Sequence, residues 1–311
     1  MAKVKVHIVS GGAGFLGSHL IDNLLSKNEK VICLDNFFTG REVNLNKWAH
    51  HPLLEIVNHD INNSITVKAD QIWHLACPAS PAFYQLDPIS TTKTIFNGTL
   101  NMLILARENN AKILYASSSE VYGNPCVHPQ RETYSGSVNP IGKRSCYEEG
   151  KRIGESLCFD FKRKYNIEIR IARIFNTYGP RMSKKDGRVI SNFIVQSLEN
   201  APISIYGDGN QTRSFCYVSD TIKGLIKLME SKYNLPVNIG NPNEYSIKQI
   251  ASIIKKKTLT DSDFVYRDLP VDDPIFRRPD INVAKSILDW YPIIDLSRGL
   301  DKTIDYFRQE V

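Results

Sequence analysis

Tyr147 and Lys151 stand four residues apart in Ser145-Cys146-Tyr147-Glu148-Glu149-Gly150-Lys151. On a helix that spacing stacks both side chains on one face, one turn apart. Of the 14 tyrosines, Tyr147 alone has a lysine four residues on. A phenol ionises near about 10, too high for a base at neutral pH, and a fixed ammonium beside it stabilises the phenolate and lowers that value. The pair has two readings: a base that deprotonates a hydroxyl, or an exposed helical contact worth roughly a few tenths of a kcal/mol. The rest of the chain decides between them.

The first element that bears on the choice is a phosphate loop. Val4 to Val9 alternates like a strand and breaks into Ser10-Gly11-Gly12-Ala13-Gly14-Phe15-Leu16-Gly17, after which Leu16, Leu20, Leu24 and Leu25 mark an amphipathic helix. Gly11 permits the tight turn, Gly14 lets a pyrophosphate approach the backbone, and Gly17 lets the helix pack close to the strand. The helix N-terminus then faces the phosphates. The next apolar run, Val31 to Leu34, ends at Asp35, where a carboxylate accepts hydrogen bonds from an adenosine ribose and repels a 2′-phosphate. NAD is favoured over NADP, with Arg41 keeping NADP open.

Leu54 to Val57 (leading to Asp60), Gln71 to Ala76 and Lys112 to Ser117 read as three more buried strands, with a helix from Pro88 to Arg107 between the last two. Repeated βα units imply an α/β fold of Rossmann type, a doubly wound parallel sheet whose ligands sit at the strand C-terminal ends. A helix holding Tyr147 and Lys151 and a strand from Ile167 to Ile174 follow. Beyond Pro180 the regularity lapses into short segments carrying Arg181, Arg188, Arg213, Arg277 and Arg278, which marks a smaller α/β substrate-binding lobe. Segments near Phe215 to Met229 and Val237 to Gly240 are expected to return to the sheet. The division is therefore 1–178 plus about 214–240 for the NAD-binding domain, and 179–213 with 241–311 for the other lobe.

Composition narrows the partners. The formal charge of +6 over 311 residues suits anionic ligands, but the densest basic run, Lys255-Lys256-Lys257, is a short solvated helix end, and nucleic acid is not an expected partner. Six cysteines without a Cys-x-x-Cys pair suit a reducing compartment, and seven histidines without ligand spacing give no metal site. No apolar stretch is long enough to span a bilayer, and a strand beginning at Val4 leaves no room for a signal peptide. The expectation is a cytoplasmic protein with no membrane partner.

Taken together, Gly-x-x-Gly-x-x-Gly, a serine before Tyr-x-x-x-Lys, and Asn176-Thr177-Tyr178-Gly179-Pro180 resemble the extended short-chain dehydrogenase/reductase family of nucleotide-sugar enzymes. The resemblance covers nearly the whole chain. Within the family, Asp35-Asn36-Phe37-Phe38-Thr39-Gly40-Arg41, Pro78-Ala79-Ser80-Pro81, Ser118-Ser119-Glu120-Val121-Tyr122-Gly123 and Arg173 through Met182 are most similar to the branch that decarboxylates UDP-glucuronate. Glu120 with Arg277 separates that branch from 4-epimerases and 4,6-dehydratases. A non-catalytic NAD sensor on the same fold has no need for Ser118, Tyr147 and Lys151 together.

The resemblance implies roles residue by residue. Tyr147 takes the proton of the sugar 4-hydroxyl, Ser118 holds that hydroxyl, Lys151 binds the nicotinamide ribose, and Glu120 and Arg277 act near C5. NAD contacts carried over are Gly14, Phe15, Leu16, Asp35, Asn36, Thr39, Gly40, Asp60, Ile61, Leu75, Thr94, Tyr147, Lys151, Thr177 and Arg188, with Phe15 and Leu16 acting through backbone groups or merely packing their helix. UDP-sugar contacts are Tyr84, Lys93, Asn101, Asn176, Arg181, Tyr206, Arg213 and Arg277, of which Tyr206 suits uracil and Arg213 the diphosphate. A homodimer through Pro88 to Arg107 and Cys146 to Tyr165 is implied as well. The chain departs from the family pattern at Cys77 in place of a serine, Ile95 of an asparagine, Lys143 of an uncharged residue, and Cys216 of a glutamine, with altered NAD retention as the expected consequence.

Overall fold

The computed structural model describes residues 4–270, 274 and 276–310. Strand β1 (Val6–Ser10), helix α1 (Phe15–Ser26) and β2 (Lys30–Asp35) are followed by β3 (Leu54–Asn58), β4 (Gln71–His74), α2 (Pro81–Tyr84), α3 (Pro88–Asn109), β5 (Lys112–Ser118), α4 (Ser145–Tyr165) and β6 (Ile169–Ile174). The later chain forms β7 (Thr177–Tyr178), α5 (Val189–Leu198), β8 (Ile203–Tyr206), β9 (Thr212–Ser214), β10 (Cys216–Tyr217), α6 (Val218–Glu230) and β11 (Pro236–Ile239). It ends with β12 (Glu244–Ser246), α7 (Ile247–Thr258), β13 (Phe264–Arg267), β14 (Phe276–Arg277), α8 (Asn282–Leu288) and α9 (Leu296–Glu310).

Seven strands form one parallel sheet in the order β3-β2-β1-β4-β5-β6-β11. The order reverses between β1 and β4, which leaves a crevice above their C-terminal ends. Register levels those ends: Ser10 lies opposite both Leu34 and His74, and Ser118 opposite Ile174. Both faces are covered, as parallel strands require. Leu20, Leu24, Ile222 and Leu225 pack one face from α1 and α6, while Met102, Leu103, Ala106 and Cys158 pack the other from α3 and α4.

Local chemistry sets the helix ends. Asp87 caps α3 by accepting from the Ser90 N–H at 2.9 Å, Pro88 occupies the first turn, and Asn110 closes the helix in the left-handed region. α7 opens with a reciprocal cap between Ser246 and Gln249.

Two expectations need correction. β3 is the edge strand, and its Glu55 and Ile56 are exposed rather than buried, because one lateral side and part of one face meet solvent. Of the Phe215 to Met229 segment, only β10 is a strand, and it pairs with β7 outside the main sheet; Val218 to Met229 belong to α6, while β11 alone returns to the sheet's far edge. Smaller pairings, β13 with β8 and β9 between β12 and β14, build the second lobe together with α5 and α7. The parallel β9–β14 pair sets Arg277 opposite Arg213.

Candidate active site

A cavity of about 890 Å³ opens over the ends of β1, β2, β4, β5 and β6 and runs beneath the second lobe. On its β1 side, Gly11 sits at φ +73°, and a Cβ there would lie 2.8 Å from the Ala76 backbone; a Cβ on Gly17 would lie 2.1 Å from the Gly11 carbonyl oxygen. No side chain caps α1, so its first-turn N–H groups remain open to an anion. Asp35 accepts from the Ala13 and Phe37 N–H groups, both at 2.9 Å, which fixes its carboxylate at the end of β2. Burial raises its pKa against those two bonds. Loop, open helix end and fixed carboxylate fit the pyrophosphate and adenosine ribose of a dinucleotide.

The other predicted cofactor residues gather unevenly around this end. Gly14, Phe15, Leu16, Asn36, Thr39, Asp60, Ile61, Leu75, Thr94, Thr177 and Arg188 line the cavity. Asp60 accepts from the Asn62 backbone and side chain, each at 2.9 Å. The Thr177 hydroxyl donates to the Phe175 carbonyl and bonds Thr221, so toward a ligand it has only an acceptor position to offer. Arg188 is ion-paired with Asp186. Gly40 does not line the cavity; a Cβ there would meet an Asp35 carboxylate oxygen at 2.6 Å, so its part is to leave room for that side chain.

Tyr147 and Lys151 project from α4 into the centre of the cavity, both buried. The Lys151 ammonium donates to the Ala116 carbonyl at 2.8 Å and lies 5.6 Å from the Tyr147 ring centroid. The phenol hydrogen-bonds Ser118, and its ring stacks on Tyr84 at 5.0 Å and 11°. The expected depression of the Tyr147 pKa is not met. Burial, with the neighbouring Cys77 thiol, pushes the phenol well above its ordinary range despite the Ser118 bond, and burial also lowers Lys151. Desolvation, which spacing on a helix does not reveal, outweighs the ammonium.

Ser118 ends β5 and accepts from the Glu120 N–H at 3.2 Å, aiming Glu120 at the same space. There the carboxylate meets Arg144 at 2.7 Å and Arg277 at 3.2 Å. Burial opposes the Glu120 charge, yet Arg277 and Arg144 hold the carboxyl down at about 2. Arg144 also reaches Glu148 at 3.1 Å, and burial with the nearby Glu120 pushes Glu148 up to about 7. Arg277 additionally donates to the Ser119 carbonyl at 2.8 Å. Arg144 and Glu148 were not singled out from the sequence; their only local signal is an Arg-x-x-x-Glu helical spacing one turn ahead of Lys151.

Of the predicted substrate residues, Tyr84, Asn176, Arg181, Tyr206, Arg213 and Arg277 line the cavity and two do not. Lys93 is exposed on α3 and does not line the cavity. Asn101 spends its amide on the Ile61 carbonyl at 2.8 Å and braces the loop after β3. Arg181 lines the cavity but pairs with Asp22 of α1 at 2.8 Å, on the phosphate-loop side rather than with Tyr206 and Arg213. Among the departures from the family pattern, Ile95 packs where a Cβ on Gly150 would come within 2.7 Å, sealing α3 against α4. The Cys77 thiol donates to the Pro78 carbonyl, and burial raises it to about 11 although Lys151 pulls the other way, so it stays a poorly ionised thiol.

Comparison with known proteins follows the same lines. The model of the NAD dependent epimerase/dehydratase family matches residues 7–240. UDP-glucuronic acid decarboxylase 6 of Arabidopsis thaliana is 53% identical over 97% of this chain and 88% of its own length. UDP-glucuronic acid decarboxylase 1 of Xenopus tropicalis is 51% identical over 98% and 72%. Among solved structures, UDP-glucuronic acid 4-epimerase from Bacillus cereus, in complex with UDP-glucuronic acid and NAD, superposes with a TM-score of 0.89 at 28% identity over 98% of this chain and 100% of that one. UDP-glucose 4-epimerase of Thermotoga maritima, with UDP-glucose, gives 0.90 at 28% identity over 98% and 99%.

Proposed function

The chain belongs to the NAD dependent epimerase/dehydratase family, and from that premise we propose that it decarboxylates UDP-glucuronate to UDP-xylose through a UDP-4-keto intermediate, regenerating NAD in each turnover. The observation that carries this reading past epimerisation is Glu120, held ionised between Arg277 and Arg144 beside the hydroxyls of Ser118 and Tyr147. Half or more of the chain's residues match enzymes named for the same decarboxylation.

NAD held in the cleft would supply the hydride acceptor for C4 and, once reduced, the donor that restores it. Gly11, Gly14 and Gly17 with the open end of α1 would hold its pyrophosphate, Asp35 its adenosine ribose, and Lys151 its nicotinamide ribose. Tyr147 is assigned the C4 hydroxyl proton, with Ser118 holding the same oxygen. Burial raises the phenol, and the groups on this chain that favour its ionised form are Ser118 and the Lys151 ammonium beside it. A ketone at C4 is β to the C6 carboxylate, so the C5–C6 electron pair flows into the carbonyl as CO2 leaves. Tyr147 stabilises the resulting enolate by hydrogen bonding. Glu120, ionised, and Arg277 are assigned the placing of the substrate carboxylate and of the water that delivers the C5 proton, each positioned acid or base contributing on the order of 10² to 10⁴ in rate.

The division into a cofactor domain, 1–178 with about 214–240, and a substrate lobe, 179–213 with 241–311, is supported by β11 joining the sheet and by Tyr206, Arg213 and Arg277 entering the cavity from the small sheets. Residues 1–3, 271–273, 275 and 311 of that division lie outside the described residues. We also assign a homodimer built on α3 and α4, supported by the exposed Ile89, Phe96 and Ile153 on those helices, and a cytoplasmic location, supported by six unpaired cysteines. Incubating the protein with UDP-glucuronate, without stoichiometric NAD, should yield UDP-xylose and CO2 by NMR, and UDP-glucose should remain unchanged. Unaltered UDP-glucuronate in the presence of folded, NAD-loaded protein would refute the assignment.

A further inference from the structure

At the β2 end of the cleft, the last helix reaches back to the phosphate loop. Arg41 lines the cavity beside Asp35, Asn36 and Thr39. Its backbone N–H bonds the Ala13 carbonyl at 3.0 Å, and Asn44 bonds the same carbonyl at 2.8 Å, so residue 41 is anchored to the loop that Asp35 also holds. Such an arginine is the natural receiver of a 2′-phosphate, since its forked donors match phosphate oxygens. Here the fork is already engaged: one Nη donates to the Glu310 carboxylate at 2.8 Å, the other to the Tyr306 hydroxyl at 2.6 Å and to Asn44 at 3.3 Å. Lys184 donates to the Glu310 carbonyl at 2.5 Å and pins the end of α9 in place.

Resting on the NAD reading above, we propose that Glu310 and Tyr306 of α9 disarm Arg41 and so make the C-terminal helix a determinant of the preference for NAD over NADP. Asp35 supplies repulsion, which alone leaves a neighbouring arginine free to compensate it. The Glu310 carboxylate removes that compensation by neutralising the guanidinium and occupying its donors. A 2′-phosphate entering this corner meets one uncompensated carboxylate and a cation whose charge is spent.

NADH and NADPH titrations of the 311-residue chain, followed by nucleotide fluorescence, test this through the ratio of the two dissociation constants. Glu310→Gln should shift the ratio toward NADPH by about tenfold or more, the ordinary worth of one charge-assisted contact to phosphate. The same substitution in an Arg41→Ala background should produce no shift, because the cation it releases is gone. NADH binding by each variant reports that the fold and the cofactor site survive. An unchanged ratio in Glu310→Gln, or an equal shift in both backgrounds, would overturn the proposal. Unaltered protein that binds neither nucleotide would overturn the NAD reading itself, and this inference with it.

Discussion

Replacing Glu148 by glutamine keeps an oxygen for Arg144 and removes one of two buried negative charges that share it. Burial and Glu120 raise this carboxyl from 4.5 to about 7 in the folded protein. A carboxyl raised in this way stabilises the fold only while protonated: the contribution is full below about pH 4.5 and is lost as pH rises through about 7. Its ionisation at pH 8.5 therefore costs about 3 kcal/mol, and solvent in the adjoining cavity screens that to about half. With an unfolding entropy of about 2 cal/mol/K per residue, Glu148→Gln should raise Tm by about 3 °C at pH 8.5. At pH 5.5 the folded carboxyl is mostly protonated already, and the gain should shrink to about 1 °C. Thermal unfolding of both proteins at the two pH values, followed by circular dichroism, measures the difference. A gain independent of pH, or a loss at pH 8.5, would show that Glu148 does not carry the strain assigned to it.

Tyr147→Phe should lower turnover by at least about 10³ while NADH still binds, since the ring and its stack on Tyr84 are retained; normal turnover would remove Tyr147 as the base. Glu120→Ala should slow CO2 release more than hydride transfer, so that reduced cofactor accumulates on mixing with UDP-glucuronate, and equal losses in both steps would end its C5 role. Lys93→Ala should leave KM and kcat within about twofold of the parent, because an exposed side chain that does not line the cavity contributes little to either. Asn101→Ala should cost about 1 kcal/mol of stability, near 2 °C in Tm, through the lost bond to Ile61, with KM unchanged.

What could be read in advance was what neighbours in sequence decide. The glycine loop, the acid at the end of β2 and the Tyr-x-x-x-Lys turn are local patterns, and each reaches the cavity because strand ends in a parallel sheet are level. What depends on distant chain was not legible. Arg144 matters through Glu120, 24 residues earlier, and through Arg277 on a small sheet built from three separate segments. Lys93 and Asn101 sit on α3, whose two predicted substrate ligands meet solvent and the Ile61 loop while Thr94 of the same helix lines the cavity, a distinction that motif matching cannot make. The Tyr147 phenol shows the same limit in energetic form: spacing supplies the lysine, but burial, which only the folded core sets, decides the sign of the shift.

Turnover of UDP-glucuronate in D2O, with the product analysed by NMR, bears most directly on the central claim. Protonation at C5 after CO2 loss, followed by return of the abstracted hydride, predicts UDP-xylose carrying one deuteron at C5 and the original protium at C4. Deuterium at C4, protium alone at C5, or a C4 epimer that keeps its carboxylate would contradict the account.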